Sequence, residues 1–109
     1  MKVVYLIGPY RDKRGAWYID QNIQAAKNVS AQLWGSGFAV ICPHANTAHF
    51  DGAASDEQFL EGLIEIMRRT DCVYVLPGWE NSSGSLAEIN EARIRGIPVY
   101  FYPEEMPLI

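Results

Sequence analysis

An alternation constrains this chain more than any other feature. Short β-rich apolar runs take turns with longer stretches of helical periodicity. Lys2 to Ile7 is a continuous run of the kind that forms a strand buried on both faces, and Gly8-Pro9-Tyr10 breaks it. A polar loop runs on through Gly15. From Asp20, apolar residues recur at Ile23, Ala26, Val29 or Ser30, and Leu33, and Gly35-Ser36-Gly37 ends that helix. Phe38 to Ile41 forms a second short buried strand, stopped by Pro43. The segment His44 to Ala54 is long for a compact α/β connection, which marks it as a functional loop. Ser55-Asp56-Glu57-Gln58 is a capping box, followed by a helical stripe of Phe59, Leu60, Leu63, Ile64 and Met67. Arg68 and Arg69 suit the negative end of that helix. Cys72 to Leu76 is a third buried strand and Pro77 to Gly84 a loop. Ser85 to Arg95 is a third helix with Gly96 as its stop, and Pro98 to Tyr102 is a fourth strand. The tail from Pro103 reads as irregular.

Strands alternating with single helices require right-handed crossovers and a parallel sheet covered on both sides. The expectation is a small doubly wound parallel sheet. It is a flavodoxin- or Rossmann-like three-layer α/β/α sandwich of about four strands and three helices. The 109 residues make one domain, 1–109. Ligands of such sheets bind beyond the C-terminal ends of the strands, so Gly8 to Arg14, Cys42 to Asp51 and Pro77 to Ser85 are the segments to search.

Composition narrows the partners. No apolar run approaches the about 18 residues of a membrane span. The opening Met1-Lys2-Val3-Val4-Tyr5 lacks the pattern of a signal peptide. Two cysteines, Cys42 and Cys72, fit free thiols in a reducing compartment, so the expected location is cytoplasmic. Nine Lys plus Arg stand against thirteen Asp plus Glu, a net charge of −4. That balance argues against a nucleic-acid polymer as partner, because phosphate-backbone binding needs a basic face. A single nucleotide needs only one or two local cations.

Chemistry-bearing residues gather at the expected strand ends. Gly8 lets backbone approach a ligand, and Arg11, Lys13 and Arg14 place three of the nine basic residues in one loop suited to a phosphate or simply to solvent. Neither a dinucleotide nor a P-loop fingerprint is present. Pro77-Gly78-Trp79-Glu80-Asn81-Ser82-Ser83-Gly84-Ser85 runs into a helix, and serines, glycine and free N–H groups at a helix N-terminus suit an anion. Glu88 lies one turn inside. Its carboxylate either faces the same cleft or, through Ser85-x-x-Glu88, closes a capping box. Trp79 either stacks on a base or packs on the core edge. Cys42-x-His44-x-x-x-x-His49 matches no strong zinc spacing, so no metal is expected and His44 is assigned to the loop or to a ligand.

Taken together, three blocks resemble the nucleoside 2-deoxyribosyltransferase-like family, which includes the 2′-deoxynucleoside 5′-monophosphate N-glycosidases and short uncharacterised bacterial and phage members. The blocks are Val4-Tyr5-Leu6-Ile7-Gly8-Pro9-Tyr10-Arg11, Asp71 to Trp79, and Ser82-x-Gly84-x-x-x-Glu88, and the likeness runs from Val3 to Val99. The resemblance implies that Glu88 is the nucleophile, with Tyr5 beside it. It also implies that Arg11, Ser82 and Gly84 hold a 5′-phosphate. One position departs from the pattern: the family carries an Asp eight residues before the Asp that opens the third strand, and Leu63 stands there in this chain. Glu61 lies about 200° away around a helix and is no simple substitute.

The leading expectation is an enzyme that cleaves or transfers the N-glycosidic bond of a nucleoside 5′-monophosphate without a cofactor. The alternative is a non-catalytic nucleotide-binding or sensing module on the same fold, motivated by Leu63. A third reading is a small interaction protein in which Glu88 is only a cap. Apolar material left to bury, such as Trp17, Tyr18, Trp34 and Pro107-Leu108-Ile109, together with the family's habit of building its sites at dimer interfaces, predicts a homodimer or larger assembly.

Overall fold

The computed structural model describes residues 1–107. Four strands, β1 (Val3–Ile7), β2 (Ala39–Ile41), β3 (Cys72–Val75) and β4 (Val99–Phe101), form one parallel sheet in the order β2-β1-β3-β4. Among the described residues four helices connect them: α1 (Ala16–Gly35), the single-turn α2 (Pro43–Asn46), α3 (Asp56–Met67) and α4 (Ser83–Ile94). The chain is therefore the expected doubly wound α/β fold, with one helix more than expected.

Burial explains the strand sequences. The central strands β1 and β3 carry layers on both faces, and Val4 to Ile7 and Cys72 to Val75 are all buried. Tyr5, Ile7, Val73 and Val75 point to the face covered by α3 and α4, where they meet Met67, Ile89 and Ala92. Val4, Leu6, Cys72 and Tyr74 point to the other face and pack with Phe38, Val29 and Leu33 of the α1 side. The tail completes that second layer: Met106 packs on it, and the Tyr74 hydroxyl donates to the Glu104 carbonyl at 2.8 Å.

Several local expectations are corrected. The strands β2 and β4 are half-buried, because both lie at sheet edges. α1 begins at Ala16, a turn before the apolar stripe starts, and Trp17 in that extra turn is exposed and no part of the stripe. The loop after β2 begins with α2, which has Pro at its first position. Ser55 caps α3 as expected, its Oγ accepting from the Gln58 amide at 3.0 Å. Arg68 and Arg69 pair with Glu65.

The start of α4 matters most for the site. Its N-cap is Ser82, whose Oγ accepts from the Ser85 amide at 3.2 Å, so the capping box Ser85-x-x-Glu88 does not exist. Glu88 is displaced to the second turn and its side chain is free to face the sheet.

Candidate active site

The strand order reverses between β1 and β3, since the chain winds outward to β2 on one side and to β4 on the other. Beyond the C-terminal ends of these two strands opens a cleft of about 1010 Å³. The loop after β1, α2, the first two turns of α3 and the N-terminal half of α4 line it. The two central loops touch: a Cβ added at Gly78, which has φ 90°, would sit 3.2 Å from Pro9 Cγ.

At the floor of the cleft the Tyr5 hydroxyl donates to Glu88 Oε2, joining β1 to α4 across 83 positions of sequence. Tyr5 is fully buried and Glu88 is 8% exposed. Burial pushes the Glu88 carboxyl up to about 7, against the opposing pull of the Tyr5 hydrogen bond. Burial, and then the charge of Glu88, hold the Tyr5 phenol far above its ordinary value, so it remains a donor. The result is a carboxyl group that changes charge near neutral pH, at a cleft floor, held by one fixed hydrogen bond. Such a group can act as a nucleophile or as a stabiliser of developing positive charge.

The residues expected to hold a phosphate share one cleft. Arg11, Ser82 and Gly84 all line it. A Cβ added to Gly84 would meet nothing within 4 Å, so that part of the first turn of α4 is open. Two of the three basic residues of the loop after β1 are paired, however. Arg11 Nη2 lies 2.7 Å from Asp56 Oδ1 at the start of α3. Arg14 is held by Asp12 at 2.7 Å and lies 3.7 Å over the Tyr18 ring. Arg14 holds the Asp12 carboxyl down to about 2. The mouth is balanced in charge rather than cationic, a consequence of tertiary pairing that no local pattern announces.

Gly8 lines the cleft and also serves packing. A Cβ there would stand 3.0 Å from both Cβ and Cδ1 of Leu76, too close for either to stay put. His44 lies beneath the same loop, 4% exposed, with Nε2 3.0 Å from the Pro9 carbonyl. The carbonyl can only accept, so Nε2 carries the proton. Burial lowers the imidazole's proton affinity and keeps it neutral. The Asn22 amide donates to the Tyr10 carbonyl at 3.1 Å, and the Tyr10 hydroxyl accepts from the His49 amide at 2.9 Å. His44, Asn22 and His49 thus anchor the loop that carries Arg11. His49 Nε2 goes to Asp20, so Cys42, His44 and His49 do not converge as ligands would.

Trp79 is not among the cleft-lining residues. Its ring centroid is 5.3 Å from that of Phe101, and it packs on the core edge, the second of its two expected roles. Leu63 does line the cleft, with Phe59 and Leu60 beside it. Sequence reasoning missed Phe50, Tyr10 and Asn22 as parts of the site. Only the length of the loop after β2 pointed towards Phe50.

The family described as Domain of unknown function (DUF4406) matches residues 2–101. The chain belongs to that family. Its fold is similar to that of a 2-deoxyribosyltransferase from the psychrotolerant bacterium Bacillus psychrosaccharolyticus, with a TM-score of 0.68 at 17% identity. That superposition covers 96% of this chain and 77% of the other. No curated protein matches the chain in sequence. This member of the DUF4406 family therefore has a nucleoside 2-deoxyribosyltransferase-like fold. Among its described residues no helix is long and apolar enough to cross a membrane.

Proposed function

We propose that the protein cleaves or transfers the N-glycosidic bond of a nucleoside 5′-monophosphate. The observation that carries this reading is the buried Tyr5–Glu88 pair at the floor of the switch-point cleft. Breaking the bond develops positive charge at C1′, and a carboxylate aimed at that carbon stabilises it or captures it as a glycosyl ester. Glu88 is the nucleophile in this reading, and Tyr5 fixes its orientation. Arg11, Ser82 and Gly84 hold the phosphate, with the N-terminal amides of α4 supplying further donors. Gly8 and His44 shape the loop against which the substrate lies. Attack of water on the ester gives hydrolysis, and attack of a second base gives transfer. No cofactor is needed. The similarity in fold to a 2-deoxyribosyltransferase supports the reading.

The test is direct. The protein is incubated with ribonucleoside and deoxyribonucleoside monophosphates, and free base is followed by chromatography. Base release that disappears in Glu88→Gln is the expected result. No release from any nucleotide, or equal release by the variant, would sink the proposal.

One observation favours a second reading, a nucleotide-binding module without turnover. Leu63 occupies the cleft wall, at the position where the family resemblance of the sequence implies an acid. That reading expects calorimetric nucleotide binding, weakened by Arg11→Ala, with no product.

A further inference from the structure

The wall facing Glu88 raises a chemical question that the proposed reaction must answer: which group protonates the departing base. The carboxyl groups lining the cleft, besides Glu88, are Asp12, Asp51 and Asp56. Asp12 is clasped by Arg14 and stays ionised in all but strongly acidic solution. Asp56 is 81% exposed and paired with Arg11. Asp51 sits exposed in the loop after α2. His44 is buried, neutral, and spends its one proton on the Pro9 carbonyl. Tyr10 and Lys13 belong to the loop after β1, whereas the α3 side of the cleft presents Phe59, Leu60 and Leu63, three side chains without a proton to give. Leu63 also packs against the cluster that contains Tyr5, so it belongs to the same floor as the nucleophile's partner.

We infer that this cleft expels its base as an anion, without a proton from the protein, and so acts on nucleotides whose base has an acidic glycosidic N–H. The inference rests on the N-glycosidic reading above and names the substrate class for it. A Glu88 oxygen contributes an electron pair to C1′ and the C1′–N bond breaks. The bonding pair leaves on the ring nitrogen, giving a glycosyl ester and a base anion. Water then adds at C1′, the ester oxygen departs with its electrons as the Glu88 carboxylate, and the water's second proton passes through solvent to the base anion. The apolar wall makes the transient anion costlier than it would be in water, which steepens the dependence on the base's own acidity. A positioned acid removes that dependence and contributes about 10²- to 10⁴-fold.

The experiment uses four 2′-deoxynucleoside 5′-monophosphates with 5-nitrouracil, 5-fluorouracil, uracil and thymine as bases, whose N1–H acidity falls in that order. Wild type should release them with rates falling steeply along the series. Leu63→Asp should speed the uracil and thymine members by about 10-fold or more and flatten the series, as a restored general acid would. Should that variant fail to fold, the wild-type series decides alone. Equal wild-type rates across the series would overturn the inference and leave the N-glycosidic reading standing. Release of no base even from the nitrouracil nucleotide would overturn both. Asp51→Asn should keep the wild-type slope. A loss confined to the uracil and thymine members in Tyr10→Phe, Lys13→Met or Asp51→Asn would give that residue the acid's role and refute the inference.

Discussion

Glu88 bears a local conflict, a carboxyl group in a cleft floor that disfavours its charge. Its folded-state pKa of about 7 lies above the ordinary 4.5, so the native state prefers the proton. The sign follows from linkage. The stabilising contribution is complete below the ordinary value and is lost as pH rises through about 7. At most this amounts to about 3 kcal/mol. Glu88→Gln carries no charge to desolvate, so its melting temperature should equal or exceed wild type at pH 8, and the gap should narrow by pH 5. The proposed base release has the opposite dependence. Attack on C1′ needs the carboxylate, so base release should rise with pH through about 7. The Tyr5 hydrogen bond lowers the carboxyl's pKa, so Tyr5→Phe should move that rising limb to higher pH. A pH–rate profile of the two proteins checks this, and a limb that stays in place would contradict the pairing.

At the scale of elements, the starts of α3 and α4 decide what the cleft mouth can hold. Ser82 caps α4, and Gly84 follows in its first turn with open space where a side chain would go. A glycine in a helix costs roughly 0.5–1 kcal/mol relative to alanine. Gly84→Ala should therefore leave thermal stability unchanged or raised while weakening nucleotide binding, because the methyl group enters the open space. Gly8 gives the opposite result. Its Cβ would press on Leu76, so Gly8→Ala should lower the melting temperature. On α3, Asp56 competes with any phosphate for Arg11. The pair is 58% and 81% exposed on its two sides, so Asp56→Asn should tighten nucleotide binding by about two- to fivefold, the worth of an exposed ion pair. Calorimetry at two salt concentrations measures it, and weaker binding by the variant would mean that Asp56 helps hold the ligand.

For the whole molecule, the sheet has half-buried edges at β2 and β4, and α1 leaves Trp17 at 64% and Trp34 at 54% exposure. From this surface we propose a homodimer or larger assembly, which light scattering at micromolar concentration should find. A strict monomer would refute it. Pro107 lies at the exposed end of the described chain, while Leu108 and Ile109 fall outside the described residues. The parallel doubly wound architecture was legible before any coordinates, because a strand buried on both faces leaves a continuous apolar run and an amphipathic helix leaves a 3.6-residue period. Both signals are local, and neighbours in sequence carry them. Glu88 and Arg11 stand out through the family resemblance, because their local patterns fit a helix cap and a solvated loop equally well. Their circumstances were not legible in the sequence. Whether Glu88 caps its own helix or meets Tyr5 depended on which of two serines starts α4, and both satisfy the local rule. Whether Arg11 is free depended on Asp56, 45 positions away. Contacts across such distances leave no periodic trace in the chain. They are set by how the helices lie on the sheet, and so the folded arrangement alone decided the charge of the cleft mouth, the partner of Glu88 and the apolar side chains of α3 in the same cleft.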